Sequence, residues 1–164
     1  MIFKNITIDN ISKDILYKCK NYPKKGLYIY GKIGVGKTYL AIAIARHVSK
    51  NKFKFVNVKD ILREFRMCES ALNEFNLMND YTYKRHLVID DLGVEKLTDY
   101  AYSIIYELID KRTLYNPEAF IITSNLSPVL LKDKLDTRIT SRIMEMCDII
   151  ELLGKDRRIN KKEE

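Results

Sequence analysis

Gly31-Lys32-Ile33-Gly34-Val35-Gly36-Lys37-Thr38 follows the pattern G-x-x-x-x-G-K-[ST] in full, and each part of that pattern has its own physical task. Gly31, Gly34 and Gly36 allow positive φ and a close approach of backbone to an anion, which a Cβ would prevent. The backbone N–H groups then point inward as a nest, and the following helix adds the positive end of its dipole. Lys37 can reach the β- and γ-phosphates of a nucleotide as a point charge, and the Thr38 hydroxyl can ligate Mg²⁺. Such a loop needs a strand before it and a helix after it. Leu27-Tyr28-Ile29-Tyr30 is a short apolar, aromatic run bounded upstream by Pro23 and Gly26, which predicts a buried strand. Tyr39 to Val48 is rich in Ala, Ile and Leu and has no Gly or Pro, which predicts the helix. A glycine turn matching by accident would carry neither flank.

The chain has 164 residues, the size of one domain with a sizeable core. Its composition, 46% hydrophobic and 31% charged, is that of a soluble globular protein. No apolar run approaches the ~20 residues of a membrane span. Met1-Ile2-Phe3-Lys4-Asn5 lacks the apolar region and cleavage site of a signal peptide. Cys19, Cys68 and Cys147 are scattered and odd in number, as expected for reduced thiols in a cytoplasm. Neither His47 nor His86 has a partner at ligand spacing, so no structural zinc is expected. The net charge of +7 favours nucleic acid or another polyanion as partner. General solubility is the competing explanation, because the lysines are spread along the chain.

Strand and helix patterns alternate. Residues 1–25 form a short lead-in with helical spacing at Ile11, Ile15, Leu16 and Cys19. Phe53 to Val58 predicts a second strand and Asp60 to Arg66 a helix; Asn73 to Arg85 fits neither template. His86-Leu87-Val88-Ile89 is an apolar run ending in Asp90-Asp91, then Leu92-Gly93. Ala101, Ile104, Ile105, Leu108 and Ile109 repeat with helical spacing, with Thr98 or Asp99 as cap and Pro117 closing the region. Ala119 to Thr123 predicts a strand ending in Ser124-Asn125, Leu135 to Met146 a basic helix, and Asp148 to Leu153 a last strand. Residues 159–164 belong to a charged tail. The alternation predicts an α/β fold around a parallel sheet, with ligands outside the carboxyl ends of the strands. The loop, Asp90-Asp91 and Asn125 all fall at such ends.

Those positions imply chemistry. Asp90, ending a buried strand beside the loop, can hold a Mg²⁺ water shell together with Thr38; alone, it would also serve as a turn residue. Asp91 can orient an attacking water, provided that the strand ends at Asp90, since adjacent side chains otherwise point to opposite faces. Asn125 can hydrogen-bond a γ-phosphate or that water, or it can cap the segment beginning Leu126-Ser127-Pro128. Arg138 and Arg142 share one face of a helix. They suit a phosphoryl group on a neighbouring molecule, a DNA backbone or solvent equally.

Together these motifs resemble the AAA+ ATPase core of the DnaC/DnaI-type helicase loaders and the related IstB transposition helpers. The resemblance runs through Gly31 to Ala41, Leu87 to Gly93, Ile121 to Leu126, Ser141-Arg142-Ile143 and Gly154-Lys155-Asp156-Arg157-Arg158. It implies a P-loop NTPase, three-layer fold over residues 26–158, with a five-stranded parallel sheet and no C-terminal lid domain. It implies ATP held by Gly31, Lys32, Ile33, Gly34, Val35, Gly36, Lys37, Thr38, Tyr39 and Arg158, and Mg²⁺ at Thr38 and Asp90. It makes Lys37, Asp90, Asp91, Asn125 (as sensor 1) and Arg142 (as a finger acting in trans) the catalytic set. Arg138 is the secondary finger candidate. It further implies a head-to-tail homo-oligomer, ATP-dependent binding of single-stranded DNA, and a replicative helicase as partner. The lead-in is too short for the helicase-binding domain that such loaders generally carry. An IstB-like transposition helper, a small P-loop kinase, and a module using nucleotide only as a structural ligand are the other functions these motifs allow. A kinase would need an Arg-rich mobile lid and an acceptor pocket, and the sequence offers neither.

Overall fold

The computed structural model describes residues 8–94, 98–115, 120–154 and 156. A 3-10 turn at Ile8–Asn10 and helix α1 (Lys13–Lys18) lead into β1 (Gly26–Tyr30) and α2 (Lys37–Ser49). Then come β2 (Lys54–Asn57), α3 (Val58–Arg66), α4 (Ala71–Thr82), β3 (Leu87–Leu92) and α5 (Asp99–Tyr115). The described chain continues with β4 (Ile121–Ser124), α6 (Pro128–Lys134), α7 (Thr137–Met146) and β5 (Cys147–Glu151). The five strands form one sheet in the order β2-β3-β4-β1-β5, and every neighbouring pair is parallel. This is the predicted α/β architecture.

Alternation along the strands divides the core between two faces. Leu27, Ile29, Val88, Ile121 and Ile150 pack with Leu40, Ala41 and Ile44 of α2. Tyr28, Ile89 and Ile122 point the other way, toward Ile61, Ile105 and Ile143 of α3, α5 and α7. Both faces are covered, which is why the strands read as continuous apolar runs. Each Leu or Ile buried this way is worth about 1.5–3 kcal/mol.

Several boundaries differ from the sequence expectation. Val58 opens α3 instead of ending β2, because the Asn57 side chain accepts from the Lys59 N–H and caps the helix one residue earlier. The stretch that fits no template is α4, capped by Ser70, whose hydroxyl accepts from the Asn73 N–H. Its apolar spacing is misleading: Leu72 and Phe75 are 66% and 57% exposed, whereas Tyr81 and Met78 are buried. Helix α6 is a second unforeseen element, with Ser127 as cap and Pro128 in the first turn, so Asn125 is not its cap. Of the two proposed caps for α5, Thr98 serves: its hydroxyl accepts from the Ala101 N–H. The last strand begins at Cys147 and ends at Glu151. Pro117, Ala119, Arg158 and the tail at 159–164 lie outside the described residues.

A buried cation joins α4 to α5. Arg112, fully buried, donates through Nη1 to the carbonyls of Tyr81, Thr82 and Lys84, each at 2.9 Å. Its guanidinium also lies 5.2 Å from the Phe120 ring centre. Positive charge at the carboxyl end of a helix satisfies carbonyls that have no partner within it. The loop leaving α4 is thereby fixed from inside.

Candidate nucleotide site

The phosphate loop joins β1 to α2 as predicted. Gly34 has φ +80 and Gly36 φ +101, in the left-handed region that a side chain disfavours. A Cβ on Gly34 would also run into the Asp156 carboxylate, so that carboxylate rests directly against the loop. Gly36 serves as the N-cap of α2, which begins at Lys37.

Lys37 is buried, and its ammonium donates to the Gly31 carbonyl at 3.0 Å, the Lys32 carbonyl at 2.9 Å and Asn125 Oδ1 at 2.7 Å. The loop is thus tied to the end of β4. The Thr38 hydroxyl donates to Asp90 Oδ1 at 2.9 Å, tying it to β3 as well. Thr123, on β4, donates to the same oxygen at 2.6 Å. Burial pushes the Asp90 carboxyl above its ordinary range; the bonds from Thr123 and Thr38 oppose this, Asp91 adds to it, and Lys37 counters it. A cation beside Asp90 would favour its ionised form.

Asp91 corrects one premise of the sequence reading. The strand does not end at Asp90 but runs on to Leu92, with a register shift between Ile89 and Leu92. Asp91 sits in that irregularity at φ +61, a conformation costing a non-glycine residue about 1–3 kcal/mol. Its N–H donates to the Thr123 hydroxyl at 3.0 Å, and its carboxylate accepts from the Asn57 side chain at 3.4 Å. The bulge breaks the strict alternation that would have opposed the two carboxylates.

The two arginines of α7 face α5. Arg138 donates to the Tyr102 hydroxyl at 3.0 Å and lies 5.3 Å from the Tyr106 ring centre. Arg142 forms an ion pair with Asp110. Tyr102, Tyr106 and Asp110 recur every fourth residue, so one stripe of α5 receives both arginines. Neither bonds to the phosphate loop of its own chain among the described residues. Val35, Gly36 and Tyr39 line a cavity of about 170 Å³ with Ile11, Ile15 and Leu152. Beside the loop, Lys32, Asn125, Glu151 and Gly154 line another of about 330 Å³.

The donor set fits a nucleotide with Mg²⁺. The loop presents N–H groups and one lysine to phosphates. One hydroxyl and one carboxylate suit Mg²⁺, which keeps several waters and takes its remaining ligands from phosphate. Among the described residues no cluster of three or more Asp, Glu, His or Cys could hold a metal ion by itself, so the phosphates would be part of the metal site.

Comparison with known proteins agrees. The family of IstB-like ATP-binding proteins matches residues 21–164. The chain belongs to this family. It is 28% identical over 150 residues to the replicative helicase loader DnaI of Bacillus subtilis (strain 168), covering 82% of this chain and 48% of that protein. It is 26% identical to the insertion sequence IS232 putative ATP-binding protein of Bacillus thuringiensis subsp. berliner, covering 96% of this chain and 63% of that one. The crystal structure of a DnaC helicase loader superposes with a TM-score of 0.78 at 27% identity, over 92% of this chain and 98% of that one. The IstB-like chain thus has the AAA+ P-loop fold and spans about half to two-thirds of these two relatives. No helix among the described residues is long and apolar enough to cross a membrane.

Three residues absent from the predicted set belong to the same network: Thr123, Asn57 and Asp156. Thr123 carried a signal, since it directly precedes Ser124-Asn125. Asp156 lies in the Gly154–Arg158 segment of the resemblance, but nothing in the sequence places its carboxylate against Gly34.

Proposed function

We propose that the IstB-like chain hydrolyses ATP with Mg²⁺ and acts in DNA replication, as a helicase loader or primosome-type accessory that binds single-stranded DNA. The observation that supports the ATPase part is the joint geometry of the loop: Lys37 bonds to Asn125 and Thr38 to Asp90, so three strand ends hold one site. Likeness to the helicase loader DnaI supports the replication part. In this reading residues 26–158 are the ATPase unit. Lys37 and the loop N–H groups bind phosphates, Thr38 and Asp90 hold Mg²⁺, and Asp91 and Asn125 orient the attacking water. Bound Mg²⁺ supplies charge for the transferred phosphoryl group.

Arg142 of a neighbouring copy completes the site in a head-to-tail assembly, with Arg138 as second candidate. The ion pair to Asp110 must then open or be shared on assembly. Steady-state ATP turnover tests this. Turnover should be low in dilute protein and rise with protein concentration or single-stranded DNA, and Arg142→Ala should remove the rise while ATP still binds. Turnover that depends on a small-molecule acceptor would replace the proposal with a kinase.

A transposition helper is supported equally by the IS232 relative, which covers nearly the whole chain. Capture from the native host separates the two: a replicative helicase favours the first and a transposase the second.

A further inference from the structure

A further cavity lies at the opposite edge of the sheet, where the strands begin. It measures about 710 Å³. Three separate segments meet there: the turn before β1, the link from α2 to β2, and the loop from α4 to β3. They contribute Lys24, Lys50, Lys52, Lys84 and Arg85, and no Asp or Glu lines the cavity among the described residues.

Part of this charge has an ordinary explanation, because α2 ends there and cations complement a helix carboxyl terminus. Three observations go beyond it. The nearby Lys25 and Lys54 are neutralised, by Asp148 at 3.0 Å and Asp80 at 2.6 Å, whereas the ammonium groups of Lys24, Lys50 and Lys52 bond to no described residue. Ser49, which lines the cavity and is only 7% exposed, has a buried hydroxyl with no hydrogen-bond partner among the described residues. A buried polar group without a partner costs about 1–3 kcal/mol and calls for one. Tyr83, also in the lining, leaves 60% of its surface exposed.

The loop carrying Tyr83, Lys84 and Arg85 is held by the buried Arg112 bonds to the carbonyls of Tyr81, Thr82 and Lys84. Tyr83, Lys84 and Arg85 are therefore presented on a loop held from inside.

We propose that this cavity binds the sugar-phosphate backbone of single-stranded nucleic acid, with Tyr83 stacking on a base. Phosphates satisfy the ammonium groups of Lys24, Lys50 and Lys52. An exposed tyrosine beside a cationic cavity suits unpaired bases, whose faces are open, and not duplex DNA. The inference rests on the single-stranded DNA part of the proposed function and gives it an address far from the phosphate loop.

The test is fluorescence anisotropy with a labelled oligo-dT about 16 nucleotides long, a length suited to one such site. Binding of a fluorescent ATP analogue serves as control. Lys24→Glu/Lys52→Glu should weaken oligo-dT binding at least about tenfold and flatten its salt dependence by about 1.4 log units per log unit of salt, for two lost phosphate contacts. Tyr83→Ala should weaken it about tenfold, with little change in salt slope. ATP-analogue binding should not change in any variant. If oligo-dT binds the parent chain and both variants alike, the cavity is not the site, while the DNA reading stands. If the parent chain does not bind oligo-dT either with or without ATP, the inference and the DNA reading fall together, and ATP turnover is judged separately. Equal binding of a duplex through the same lysines overturns the single-strand assignment. Full competition by inorganic phosphate at constant ionic strength makes the cavity a phosphate site and overturns it too.

Discussion

At the carboxyl ends of β1, β3 and β4 the polar side chains bond to one another: Lys37 to Asn125, and Thr38 and Thr123 to Asp90. At the amino ends Lys24, Lys50 and Lys52 line a cavity without bonding to any described residue. Both ends carry lysine, but they are built differently. The first holds its lysine by the backbone and buries its carboxylate, a pre-set geometry suited to chemistry on one small anion. The second collects lysines from separate segments, which suits many phosphates in sequence and little chemistry. A parallel sheet produces this division, because all its loops before strands fall on one edge and all those after strands on the other.

Lys37→Ala should give the largest contrast. ATP turnover should fall by about 10²–10³ or more, as for loss of one donor to a transition state, while oligo-dT binding measured without nucleotide stays unchanged. A parallel loss of both would mean that the ends are not separable.

Arg112→Ala should act on the other end through stability. It leaves three carbonyls without their donor, so urea unfolding should show a loss of about 3–5 kcal/mol. An effect below about 1 kcal/mol, as at an ordinary surface site, would show that the Tyr83–Arg85 loop is not held from within.

Asp156→Asn addresses the loop itself. The carboxylate beside Gly34 repels incoming phosphates by about 1 kcal/mol at solvent-like dielectric, so removing its charge should tighten ATP-analogue binding about fivefold. Weaker binding would instead make Asp156 a positive contributor to the nucleotide site.

Thiol labelling gives the smallest and most local comparison. Burial pushes Cys19 up to about 11 and Cys147 up to about 12, with Asp148 adding to the rise of Cys19. A raised thiol pKa keeps the unreactive neutral form through neutral pH, so both should label slowly at pH 8 and faster only as pH approaches those values. The half-exposed Cys68 should react first. Early labelling of Cys147, whose strand starts at the amino edge beside Gly26, would show that this edge opens.

The two ends were unequally legible in the sequence. The nucleotide end is written in local patterns: a glycine loop between a strand and a helix, and apolar runs that stop at Asp90 and Asn125. The basic end is assembled from Lys24, Lys50, Lys52, Lys84 and Arg85, cations in three separate segments that look like ordinary surface residues until the topology joins them. Helix α4 was hidden because Leu72 and Phe75 face outward. Arg112 continues the apolar stripe of α5, four residues after Leu108, and only its charge disguised its burial. The conformation of Asp91 was also out of reach. Its φ of +61 reflects a sheet irregularity held by Thr123, not a preference of Asp91 itself.

The central claim is that Thr38, Asp90 and the phosphate loop form one ATP-hydrolysing site. Its most direct test is Mg²⁺-dependent ATP turnover of Asp90→Asn, with ATP-analogue binding measured on the same sample. Loss of turnover by about 10²-fold or more with binding retained is the predicted result. Turnover equal to that of the parent chain would contradict the account.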